Sequence, residues 1–184
     1  MTKKVEICST SLMLLGHKPI SSLDEPGSGA LLAKNLYDTT YLSFLSSNNW
    51  NFAQKYINLS RLSEEPKHPD YKYQFQLPSD YVRLNTVRPI ADYKVFEDKV
   101  YSNSQSLGLD YFYSVREEML PPYAVRCMEY LMASVLAIPL TVDTNKAELY
   151  TNLFQRQLVA SMSIDSQGAP VDGWADSPIT SVRF

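Results

Sequence analysis

Residues 71–85 read YKYQFQLPSDYVRLN, and their alternation decides the fold class. Tyr71, Tyr73, Phe75 and Leu77 fall on one side of an extended chain. Lys72, Gln74 and Gln76 fall on the other, the period-two pattern of a half-buried strand. Pro78 fixes the chain as it leaves that strand, and Asp80 suits a turn because its carboxylate bonds nearby backbone groups. Val82 and Leu84, alternating with Arg83 and Asn85, resume the strand period.

Outward from this stretch the same period recurs. Ile57 and Leu59 alternate with Asn58 and Ser60. Val95-Phe96 and Val100-Tyr101 flank a hairpin tip at Glu97-Asp98-Lys99, and residues 109–115 read as a last strand carrying Tyr111 and Tyr113. These short strands predict an antiparallel sheet. On both sides the period becomes helical. Residues 3–15 place Val5, Cys8, Leu12 and Leu15 on one stripe, closed by Gly16. Residues 30–46 place Ala30, Ala33, Tyr37, Tyr41 and Phe44 together. Pro121-Pro122 opens a third helix lined by Ala124, Cys127, Met128, Leu131, Val135 and Ile138, which Pro139 stops or kinks. Asp143 or Thr144 caps a fourth, with Ala147, Tyr150, Phe154 and Leu158 as its stripe.

The expected fold class is therefore α+β: a four-helix bundle core with an inserted antiparallel β-rich subdomain and an extended C-terminal arm. The divisions are an N-terminal helical pair over 1–49, the β-rich insert over 50–120, a C-terminal helical pair completing the bundle over 121–163, and the arm over 164–184. The arm loses periodicity yet keeps Trp174, Ile179, Val182 and Phe184. Such groups either fold back on their own domain or dock on another subunit.

Of the 184 residues 45% are hydrophobic and 20% charged, an ordinary globular balance. A net charge of −3, with no basic run longer than Lys3-Lys4, argues against a surface that grips phosphates. Thirteen tyrosines suit half-buried faces and interfaces. Cys8 and Cys127 lie in apolar helical patterns and read as buried thiols. Residues 2–15 are too polar for a signal peptide, and the apolar run 131–140 is short for a bilayer span, so a soluble chain made in the cytoplasm, with no membrane partner, is expected.

No catalytic pattern assembles. His17 and His68 are the only histidines, and neither has a second ligand at metal-binding spacing or a nucleophile motif beside it. Gly27-Ser28-Gly29 lacks the lysine of a phosphate loop. The acid pairs Asp24-Glu25, Glu64-Glu65, Glu97-Asp98 and Glu117-Glu118 are the one reservoir for general acid–base work, which needs two carboxylates across a cleft and one raised pKa. No catalytic, cofactor or metal residue is assigned.

Four signatures in order carry a resemblance: Leu14-Leu15-Gly16 with Ile20-Ser21-Ser22-Leu23-Asp24-Glu25; Asn49-Trp50-Asn51-Phe52-Ala53; Tyr73 through Leu77-Pro78-Ser79-Asp80-Tyr81-Val82-Arg83; and the 109–115 strand followed by Pro122 and an Ala/Leu-rich helix. Over roughly residues 5–163 the chain resembles tail tubular protein A, the head-to-tail adaptor family of short-tailed bacteriophages. Within it Trp50, Phe52, Pro78 and Asp80 read as scaffold, with Trp50 and Phe52 joining helix to sheet.

The resemblance implies a structural virion protein without enzymatic activity or cofactor. It would form a dodecameric ring between the portal protein and a tail nozzle of the tail tubular protein B type, built from heterologous contacts between copies. It would surround the DNA ejection channel, touching genomic DNA only passively, and would sit in the virion tail after assembly in the bacterial cytoplasm. Trp174, Ile179, Val182 and Phe184 become the portal-docking candidates. The rivals are a tail-associated peptidoglycan hydrolase using a carboxylate pair and a host-side interaction or DNA-binding module.

Overall fold

The computed structural model describes residues 2–66 and 68–168. Trp174, Ile179, Val182 and Phe184 lie outside the described residues.

Helix α1 (Lys3–Leu14) ends where Gly16 takes φ +87° and the His17 N–H bonds the Leu12 carbonyl. That left-handed position favours glycine. Helix α2 (Ser28–Ser47) buries Ala30, Ala33, Tyr37, Tyr41, Phe44 and Leu45, the stripe its spacing predicts. A single 3₁₀ turn (Asn51–Ala53) then leads into β1 (Gln54–Asn58). Strands β2 (Tyr73–Gln76), β3 (Tyr81–Arg88), β4 (Tyr93–Phe96), β5 (Lys99–Ser102) and β6 (Gly108–Tyr113) follow. Glu97 takes φ 55° at the tip between β4 and β5. Helices α3 (Pro122–Thr141) and α4 (Thr144–Gln167) complete the chain, α4 capped by the Asp143 carboxylate on the backbone N–H groups of Asn145 and Lys146.

The strands form two small antiparallel sheets, β1–β6–β3 and β2–β5–β4, where one sheet was expected. Strand β6 is the shared wall. Phe112 enters the helical core, while Leu109 and Tyr111 on its other face join Phe75, Leu77, Val87, Val100 and Leu107 in a second core. On the opposite face Lys72 and Gln76 are exposed, as the alternation predicts, and Gln74 alone departs from it. Gln74 is buried, with its Nε2 donating to the Glu64 carbonyl, because the segment before β2 folds over it and Leu62 N–H bonds the Gln74 carbonyl.

The helices do not form a four-helix bundle core, which corrects the expected architecture. A bundle needs a continuous apolar stripe on every member. Here α3 is central: Ala124, Cys127, Met128, Met132, Ala133, Leu136 and Ala137 are buried around most of its circumference. Helix α4 packs along α3 on a thin face of Tyr150, Phe154, Ser161 and Asp165. It touches the end of α1 through Tyr150 OH to the Leu14 carbonyl and Lys146 Nζ to the Leu15 carbonyl. Helices α1 and α2 meet α3 far more than they meet each other. The all-round burial also displaces Ile138, expected inside, to the surface. Pro139 does not stop α3, which runs on to Thr141, with Val142 in the left-handed region after it.

Helix α3 is long and apolar enough to cross a bilayer by length and composition, beyond what the 131–140 run suggested. Most of those apolar side chains pack in or against the helical core, Ile138 excepted.

Candidate functional site

At the crossing from α2 to β1, side chains from both helical pairs and the sheet meet. Trp50 is 0% exposed; its Nε1 donates to the Phe44 carbonyl at 3.1 Å, and its ring lies 4.9 Å from Phe44 and 5.3 Å from Phe52. Phe52 meets Tyr123, in the first turn of α3, edge-on at 6.2 Å. The scaffold role expected for Trp50 and Phe52 thus has a geometry: a chain of rings from α2 to α3.

Two residues that the spacing did not single out close this junction. Asp165, 5% exposed, accepts from the Asn51 backbone N–H at 2.7 Å and from Tyr123 OH at 2.7 Å, while its own carbonyl accepts from Asn51 Nδ2 at 2.8 Å. Burial, and then this bond to Asp165, push the Tyr123 phenol well above its ordinary value. Arg83 of β3 donates from Nη2 to the Asn48 carbonyl at 3.2 Å and to Asn49 Oδ1 at 2.5 Å, with its guanidinium 4.4 Å from the Phe112 ring centre. A planar donor fork can span a helix end and an aromatic face together.

Asp80 makes a second node. Oδ1 accepts from Tyr111 OH and Oδ2 from Lys55 Nζ, each at 2.9 Å, and its carbonyl accepts the Ser114 N–H at 2.8 Å. Burial works to raise the Asp80 carboxyl, and the bonds from Lys55 and Tyr111 outweigh it, holding the group below the usual carboxylate value. Pro78 immediately precedes this turn, its carbonyl accepting the Tyr81 N–H at 3.1 Å.

The acid pairs sit elsewhere. A hydrogen bond and charge from Lys34 hold Asp24 below its ordinary value, and the Ser21 hydroxyl and N–H do the same for Glu25. A general acid needs the opposite shift. Glu64 and Glu65 line a shallow cleft of about 200 Å³ with Arg61 and Lys72. Among the described residues no three His, Cys, Asp or Glu side chains gather as a metal ion requires. His17 lines a surface cleft of about 360 Å³ with Lys18 and Glu25, while His68 Nε2 faces Lys94 Nζ at 3.1 Å, so the two histidines are apart.

No protein-family model matches the chain, and no curated protein matches it.

Proposed function

We propose that the chain is a head-to-tail adaptor subunit of a short-tailed bacteriophage. It forms a dodecameric ring between portal protein and tail nozzle and surrounds the DNA ejection channel. The observation that supports this reading is the convergence of its separated signatures. Asn49 of one bonds Arg83 of another, and Asp80 of that second stretch bonds Tyr111 of a third. Phe52 meets Tyr123, next to Pro122, and Ile20 N–H reaches Ser9 Oγ at the first signature. These residues hold one frame together rather than ring a cleft, which fits a subunit whose task is to present surfaces to its neighbours.

In this reading Trp174, Ile179, Val182 and Phe184 dock on the portal, and the net charge of −3 lets DNA pass without being held. The tail of the virion is its place, after assembly in the host cytoplasm. Electron microscopy of the protein mixed with portal tests the proposal. A closed twelve-subunit ring on the portal is the expected result, and a protein that stays monomeric beside the portal overturns it. A zymogram on peptidoglycan separates the hydrolase rival: clearing that disappears when one acid is replaced would make the chain an enzyme.

A further inference from the structure

Each sheet has two outer strands, and their edges differ in how open they are. The edge of β2 is covered: Arg61 bridges to Phe75, Leu62 N–H bonds the Gln74 carbonyl, and Gln76 N–H bonds the Ser60 carbonyl. Strand β3 is interrupted by register shifts at Tyr81/Arg83 and Leu84/Thr86, the irregularities that blunt an edge. Strands β1 and β4 remain. Each pairs residue for residue with its one neighbour and contains no proline, and among the described residues no strand lies on its outer side. All five residues of β1 are exposed, and three of the four in β4. Alternate peptide groups of such an edge point outward, the template an added strand requires.

These two edges stand on opposite flanks. The sheets enclose one core between them. Strand β1 runs on into the segment that covers β2, and β3 runs through residues 89–92 into β4. So β1 and β2 share one flank, and β3 and β4 the other. A head-to-tail contact between copies joins two unlike surfaces in this way, whereas a two-fold contact would use one edge twice.

The side chains of the two edges match. Lys55 and Ile57 lie opposite Tyr111 and Leu109, on the core side of β1. Tyr93 and Val95 lie opposite Ser102 and Val100, on the core side of β4. An antiparallel register that sets Ile57 opposite Tyr93 also sets Lys55 opposite Val95, Tyr56 opposite Lys94 and Gln54 opposite Phe96. Ile57 is 38% exposed and Tyr93 40%, and in this register each covers the other. On the outer face the Lys94 ammonium meets the Tyr56 ring, a cation on an aromatic face. Diagonally, Lys55 comes within reach of Glu97 at the tip of the hairpin, so opposite charges meet and no like charges stand directly opposed. A slip of one residue would turn core-side residues against outer ones, which specifies the register.

We propose that β1 of one copy pairs antiparallel with β4 of the next copy, Ile57 opposite Tyr93 and Tyr56 opposite Lys94. The pairing joins the sheets of neighbouring subunits edge to edge. It rests on the ring of the proposed function and names the contact that holds its copies together.

The test uses the full-length protein assembled on portal. Ile57→Cys protein is mixed with Tyr93→Cys protein, and separately Tyr56→Cys with Lys94→Cys, before mild oxidation. All four positions are exposed, so the substitutions leave both cores intact. The native cysteines are buried and stay out of the reaction. One of the two opposed pairs falls at a non-hydrogen-bonded site, where the Cα atoms stand about 4.5 Å apart, close enough for a disulfide. The expected result is a disulfide between unlike variants in at least one mixture and none in any variant alone. Links within a single variant show like edges meeting across a two-fold axis and overturn the proposal. A ring seen by electron microscopy with no link in either mixture also overturns it and leaves the adaptor reading standing. Absence of any ring overturns the adaptor reading, and this contact with it.

Discussion

Asp165 Oδ2 accepts the backbone N–H of Asn51 at 2.7 Å, tying the end of α4 to the crossing from helix to sheet. Its other oxygen takes Tyr123 OH. Asp165→Ala removes both acceptors from two half-buried donors, each of which costs up to about 1–3 kcal/mol when left without a partner. The urea midpoint should fall clearly, with Asp165→Asn, which keeps one carbonyl oxygen, in between. Unfolding of Asp165→Ala at the wild-type midpoint would take the carboxylate out of the junction's energetics.

Trp50 fills the same junction from the α2 side with no exposed surface. Trp50→Ala should destabilise by about 3–5 kcal/mol. Trp50→Phe should cost less, keeping a ring against Phe44 and Phe52 while losing the bond to the Phe44 carbonyl. Chemical denaturation of both variants orders the two contributions, and a smaller loss for Ala than for Phe would contradict the packing described.

Asp80 links stability to pH. Its carboxyl is held below the ordinary value in the fold, so the unfolded chain takes up its proton first as pH falls. The stabilisation is complete above the unfolded pKa, about 3.9, and is lost as pH drops through the lower folded value. The stability gap between wild type and Asp80→Asn should therefore be widest near neutrality and narrow below about pH 4. A gap constant down to pH 3 would refute it.

Both cysteines are free and buried. Burial pushes the Cys8 thiol up to about 12 and raises Cys127 as well. Thiolate is the reactive species, so neither should react with a maleimide at neutral pH in the folded protein, and both should react in urea. Rapid native labelling of either, read by mass spectrometry, would show that its helix opens.

Gly108 lies opposite Asn58, and a β-carbon there would overlap the Tyr56 hydroxyl. That hydroxyl ends a side chain 53% exposed, which can swing into solvent at the loss of its bond to Asn58 Oδ1. Gly108→Ala should therefore cost less than about 1 kcal/mol, and in Tyr56→Ala the same change should cost nothing further or stabilise the strand. A large penalty in both backgrounds would place the strain in the backbone.

How legible the fold was in the sequence depended on how local each cause is. The α2 stripe appeared as predicted because 3.6-residue spacing needs no knowledge of partners. The stripe assigned to α3 failed at Ile138 because a helix surrounded by others has no single inner face. Gln74 is buried by a segment that returns over β2, which alternation within β2 cannot reveal. Asp165 falls within 164–184, the stretch whose lost periodicity reads as an arm, yet α4 runs through it to Gln167. It continues the Tyr150, Phe154, Ser161 series at helical spacing, and that was the available signal. Arg83 reads from the sequence as the polar partner of Val82 and Leu84 and the end of a signature; its bonds go to Asn48 and Asn49 of another element, which spacing within the strand cannot reveal.

The strand order also sets a timetable for synthesis. Strand β1 is the first strand made and β6 the last, and among the described residues β1 has no other strand partner. The nascent chain must carry α1, α2 and a lone β1 while the rest of the insert is translated, for a time on the order of seconds at about 5–20 residues per second. Phe112 then reaches its place among the helices just before α3 leaves the ribosome to complete them. Until then β1 is shielded by nothing the chain has yet made.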